Sequence, residues 1–142
     1  MRSPTRTDSV AEFRQRLDRA DAAALTALRA ELRRWLTALP LSAAMRADVL
    51  LAVYEAAANA AEHAYPTTAG PLRVHATYHR GRLIVLVRDH GRWRIPTDTP
   101  DSSRGNGLVL VGAVSTDSAV HVDATGTTVT MQWDLRTVPT HA

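Results

Sequence analysis

Neither cysteine nor lysine occurs among these 142 residues. Without cysteine there are no disulfides and no thiolate metal sites, which suits a cytoplasmic chain. Without lysine, all 17 basic residues are arginine. Long apolar runs are also missing. None approaches the roughly 18–20 residues of a membrane span, and the opening MRSPTRTDS lacks the apolar core of a secretory signal. No membrane partner is therefore expected. The hydrophobic content of 45% is ordinary for a soluble globular domain. The length suits one domain with a substantial core.

The net charge is only +3, but it is unevenly spread. Residues 71–104 hold seven arginines (Arg73, Arg80, Arg82, Arg88, Arg92, Arg94 and Arg104) against Asp89, Asp98 and Asp101, which is 7 − 3 = +4. Residues 51–70 and 105–142 are each −2. A local positive field suits an anionic ligand such as a polyphosphate. No basic run with interleaved aromatics is present, so direct nucleic-acid binding is not expected.

Residues 1–9 read as a flexible tail, 10–136 as the domain and 137–142 as a second tail. Val10 to Leu17 suits an edge strand. Asp21 can cap a helix from Ala22 to Leu39, whose leucines 25, 28, 32, 36 and 39 form one stripe, and Pro40 ends it. Ser42 is the next cap, for a helix to about Ala64 with Val49, Leu50, Val53 and Ala57 inward. Leu72 to His79 alternates with period two, Arg80-Gly81 makes a short turn, and Arg82 to Asp89 is a more apolar, central strand. His90 to Arg104 is a polar, Pro-rich loop, long enough to bind a ligand. Gly105 to Val114 is a buried strand or helix, and its glycines favour a loop passing into a helix N-terminus, where phosphates bind. Asp117–Ala124 and Thr127–Leu135 are strands around Thr125-Gly126. Grouped helices and hairpin strands indicate an α+β two-layer sandwich, with a mixed, mostly antiparallel sheet covered on one face by helices.

The stretch Leu50 to Tyr65, LLAVYEAAANAAEHAY, puts Glu55, Asn59 and Glu62 on one helix face. A carboxylate and an amide one turn apart can serve as a proton acceptor and a neutral metal ligand. The competing reading is a plain solvated face. Glu62 reads as a surface acid and His63 as a packing or capping residue. His75 and His79 share a strand face but lie about 13 Å apart at strand rise, too far for one metal.

Three further motifs follow in order: Asp89-x-Gly91 at a strand end, Arg104-Gly-Asn-Gly107-Leu108, and Gly126-Thr-Thr128. In this order and on these elements the four resemble the ATP-binding (Bergerat) fold shared by gyrase, a heat-shock chaperone, histidine kinases and MutL. The small size and the E-x-x-x-N-A-x-x-H-A-Y string look most like the anti-sigma-factor serine/threonine kinases of the RsbW and SpoIIAB type. The resemblance covers roughly residues 10 to 135.

The resemblance implies a role for each matching residue. Asn59 would coordinate Mg²⁺ bridging the ATP phosphates, and Glu55 would be the general base for a substrate serine or threonine. Asp89 would accept a hydrogen bond from the adenine amino group, with Gly91 allowing close backbone approach and Thr128 supporting the adenine end. Gly105 and Gly107 would form the phosphate-facing turn, with Leu108 in the same stretch. Arg104, bordering those glycines, is a candidate γ-phosphate contact on physical grounds. One departure stands out: Trp93 occupies the place of a frequent second glycine in D-H-G-R-W.

The expected function is a protein kinase that phosphorylates an anti-anti-sigma (STAS) protein and regulates a sigma factor, as a homodimer. A non-catalytic nucleotide-binding switch is one alternative, which the intact Glu55 opposes. A histidine-kinase ATPase domain is the other, and no phosphoacceptor helix pair precedes it in this sequence.

Overall fold

The computed structural model describes residues 10–65, 69–91 and 117–135, apart from the side chain of His63. The expected loop beyond Gly91 and the strand or helix expected over Gly105 to Val114 lie outside them. The order is β1 (Ala11–Leu17), α1 (Ala22–Thr37), α2 (Ala43–Ala64), β2 (Leu72–His79), β3 (Arg82–Asp89), β4 (Asp117–Asp123) and β5 (Gly126–Asp134). The five strands form one sheet in the order β1-β2-β3-β5-β4, and all four pairings are antiparallel. Both helices pack on one face of this open sheet, which is the expected α+β architecture. Among the described residues, no helix is long and apolar enough to cross a membrane.

The capping residues expected from the sequence are in place. Asp21 accepts from the Ala24 backbone N–H at 2.9 Å and Ser42 from that of Met45 at 3.0 Å, each satisfying one orphan donor of its helix. Helix α1 stops at Thr37, two residues short of the expected Leu39. Its end tightens, with the N–H groups of Ala38 and Leu39 reaching back three residues to the carbonyls of Trp35 and Leu36, at 3.1 Å each. Pro40 disfavours helical backbone at the residue before it, which accounts for the early stop. Leu39 is nonetheless buried beside Leu25, Leu28, Leu32 and Leu36.

Strand β1 is the expected edge strand, but its phase differs from the apolar points of the sequence. Phe13 and Leu17 face the core, whereas Val10 lies outside the strand and is exposed. In β2, β3 and β5 the alternation is regular. Leu72, Val74 and Ala76, then Leu83, Val85 and Val87, then Val129, Met131 and Trp133 are buried against the helices. Helix α2 meets this surface with Val49, Ala52, Val53, Ala56, Ala57 and Ala60, all nearly inaccessible. Alanine is the best helix former, and its short side chain lets the helix backbone come close to the sheet.

Truncating Leu32, which is 1% exposed, to alanine should lower unfolding stability by about 2–5 kcal/mol. Asp21→Ala should lower it by about 1 kcal/mol. Urea denaturation measures both.

Candidate functional site

The register fixes which residues share a face at the end of the sheet. Leu72 pairs with Asp89, Asp89 with Thr127 and Thr127 with Val122. Asp89 and Thr127 thus occupy core-facing positions in a row that is otherwise apolar. Both are 1% exposed. The Asp89 carboxylate accepts from the backbone N–H of Gly91 at 3.0 Å and of Thr127 at 3.3 Å, so it is held from its own turn and from the neighbouring strand.

Two glycines leave room for this turn. A Cβ on Gly91 would overlap the backbone carbonyl of Ala64, at the end of α2, and one on Gly126 would overlap the carbonyl of Asp89. The first contact brings the C-terminal turn of α2 against the exit of β3.

Asn59 is 9% exposed, and its Nδ2 is buried without a hydrogen-bond partner among the described residues. Thr127 Oγ1 is likewise buried without a partner among them. Buried polar groups are nearly always satisfied, so the Asn59 amide and the Thr127 hydroxyl are each candidates for a ligand contact; a third such atom, Arg82 Nε, lies at the far end of β3. A half-turn of the amide presents oxygen in place of nitrogen, which lets Asn59 serve a cation or an acceptor. Glu55, one turn earlier, is half-buried and has no ion pair or hydrogen bond among the described residues. Glu62 is exposed. No cluster of three or more His, Asp or Glu side chains among the described residues could cage a metal, and the His75 ring instead meets Glu12 Oε2 at 2.6 Å.

Thr128, expected to support the adenine end beside Asp89, is placed elsewhere. It pairs with Arg88, and its hydroxyl accepts from Arg88 Nη1 at 2.7 Å on the face of the sheet away from the helices. Neighbouring residues of a strand point to opposite faces, so Thr127 and not Thr128 can reach Asp89. The sequence did carry a signal for this. Val129, Met131 and Trp133 alternate inward, and two positions before Val129 is Thr127. Arg88 belongs to a separate network with Thr125 Oγ1 at 2.6 Å and Asp123 at 3.5 Å. Hydrogen bonds from Thr125, and then Arg88, hold the Asp123 carboxyl well below the usual range. Arg104, Gly105, Gly107, Leu108 and Trp93 lie outside the described residues.

The buried polar positions beside the end of α2, Asp89 and Thr127 with Asn59 on the helix, form the candidate recess of a two-layer α+β domain. Sequence comparison makes the class specific: the histidine kinase-like ATPase domain model matches residues 19–133, and the chain belongs to that family. Among solved structures it is similar to the RsbU and RsbW domains of Rv1364c from Mycobacterium tuberculosis, with 27% identity and a TM-score of 0.68. That match covers 86% of this chain and 32% of the other. It also shares its fold with the histidine kinase domain of a blue-light-activated histidine kinase from Erythrobacter litoralis, at 21% identity and a TM-score of 0.54. There the coverage is 80% of this chain and 60% of the other. The chain thus spans about a third of the first structure and three-fifths of the second.

Replacing each of the adjacent threonines by valine should change stability in opposite directions. Thr127→Val removes a buried, unpaired hydroxyl and should raise unfolding stability by about 1 kcal/mol. Thr128→Val removes the acceptor of Arg88 and should lower it by a similar amount. Urea denaturation of the ligand-free protein distinguishes the two.

Proposed function

We propose that this chain is an ATP- and Mg²⁺-dependent protein serine/threonine kinase of the RsbW and SpoIIAB type. It phosphorylates a STAS-domain anti-anti-sigma protein, binds a sigma factor when not so engaged, and works as a homodimer in the cytoplasm. The observation that carries this reading is a set of buried polar groups on α2 and the sheet. Asp89 and two unpartnered polar groups, Asn59 and Thr127, occur together in a histidine kinase-like ATPase domain.

The donor set suits the ligand. Asp89 is an acceptor for the adenine amino group, and the Thr127 hydroxyl lies beside it to complete the edge of the base. The Asn59 amide oxygen would hold Mg²⁺, whose remaining ligands are phosphate and water oxygens. When bound, the ion neutralises charge on the phosphate oxygens, the main requirement of phosphoryl transfer. Gly105, Gly107 and Leu108 would line the phosphates, and Arg104 would contact the γ-phosphate. Glu55 would accept the proton of the attacking serine or threonine hydroxyl. Its lack of a partner among the described residues leaves it available for that proton. The likeness to a structure containing an RsbW domain favours this type over the histidine kinases, for which only the fold is shared.

Incubation with labelled ATP, Mg²⁺ and STAS-domain proteins should give phosphoserine or phosphothreonine. Label on histidine would favour a histidine-kinase domain, and tight ATP binding with no transfer to any partner would favour a non-catalytic switch. Glu55→Ala should retain ATP binding and lose about 10²–10⁴-fold in transfer rate. Surviving transfer would remove Glu55 from the base role. Asn59→Ala should weaken Mg²⁺-ATP binding by about tenfold or more, and unchanged affinity by calorimetry would exclude it as the metal ligand.

A further inference from the structure

Tyr65 caps the C-terminal end of α2 and joins three separate parts of the chain around the recess. Its hydroxyl donates to the Pro71 carbonyl at 2.6 Å, just before β2, and accepts from the His90 backbone N–H at 2.8 Å, just after β3. Its ring lies against Gly70, where any Cβ would overlap it. Gly70 is itself tied to the start of α1, because its carbonyl accepts from the Ala20 N–H at 2.8 Å. Burial raises the phenol pKa above its usual value of 10, opposed by the His90 hydrogen bond and helped by the negative Asp89. The hydroxyl therefore stays protonated and remains a donor across the physiological range.

His90 is the single residue between Asp89 and Gly91, so the Tyr65 hydroxyl grips the middle of the turn that aims the carboxylate. From the other side, Asp89 Oδ1 is held by the N–H groups of Gly91 and Thr127. We infer that Tyr65 is a positioning residue that acts through Asp89 and sets how strictly the recess selects a purine with an amino group, rather than a carbonyl, at C6. This inference rests on the nucleotide-binding reading above and adds a specificity determinant to it. A well-aimed carboxylate accepts from an exocyclic amino group and repels a carbonyl oxygen at the same position. A carboxylate free to swing makes the first contact less well and avoids the second. Loosening the turn thus narrows the difference between adenine and guanine nucleotides without touching Asn59.

Tyr65→Phe keeps the ring on Gly70 and deletes only the hydroxyl. Calorimetry with ATP and with GTP on the full chain should show the preference for ATP narrowed about tenfold, the loss of roughly one net hydrogen bond. The Mg²⁺ dependence of binding should stay as in the wild type. On an Asp89→Asn background the same substitution should leave the remaining preference unchanged, since the two act as one unit. In the ligand-free protein, hydrogen–deuterium exchange at the His90 and Gly91 amides should accelerate in Tyr65→Phe. A merely structural latch would weaken both nucleotides in equal proportion and lower Tm, and that result overturns the inference. Unchanged exchange at His90 and Gly91 overturns it without any nucleotide. Failure of the wild type itself to bind ATP is a different outcome. It removes the nucleotide reading, and the selectivity role falls with it.

Discussion

The close approach of α2 to the sheet sets most of what this molecule can do. Alanines at 52, 56, 57 and 60 form the contact surface, and each is 2% exposed or less. Larger side chains there would lift the helix off β3 and break the fit of Gly91 under the Ala64 carbonyl. That fit turns a helix end and a strand end into the two walls of one recess. Inside it Asp89 is held by the Gly91 and Thr127 N–H groups, while packing fixes Asn59 and the Thr127 hydroxyl.

The two faces of the sheet divide the polar chemistry between them. Toward the helices, Asp89 and Thr127 interrupt a hydrophobic row. Away from them, Arg88 gathers Thr128, Thr125 and Asp123 and ties β3 to the β4–β5 hairpin. Arg88 and Asp89 are neighbours in sequence, yet their side chains enter different environments. The charge surplus seen across residues 71–104 is therefore not a single field at the recess. Part of it lies on the far side of the sheet, already matched to Asp123 and, at Arg82, to Asp134 at 3.4 Å.

Much of the fold was legible in the sequence because its signals are local. Asp21 and Ser42 announce the helices, and Leu72–His79 and Arg82–Asp89 carry the period of a half-buried sheet. The α+β class and the edge position of β1 followed from these. The inward residue of the last motif was read less well. The Gly-Thr-Thr string was matched as a motif, and a motif does not say which of two adjacent threonines faces inward. Side-chain parity does, once Trp133, Met131 and Val129 are counted back to Thr127. Tyr65 closes the E-x-x-x-N-A-x-x-H-A-Y string, but its role was not legible there, since its partners at Pro71 and His90 are brought to it only by the fold.

The pairing of β3 with β5 has a further consequence for how the chain folds. β2 and β3 are joined by a tight turn at Arg80 and Gly81, both at positive φ, and can zip as a hairpin in microseconds. β3 and β5 must instead close the whole span from residue 90 to residue 125, a slower, non-local step with a larger entropic barrier. Asp89 and Thr127 meet only across that late pairing. A chain with its helices and first hairpin already formed would still lack Thr127 beside Asp89. The capacity to hold a ligand there is thus acquired at the end of folding, and a ligand that fills the recess draws the last pairing to completion.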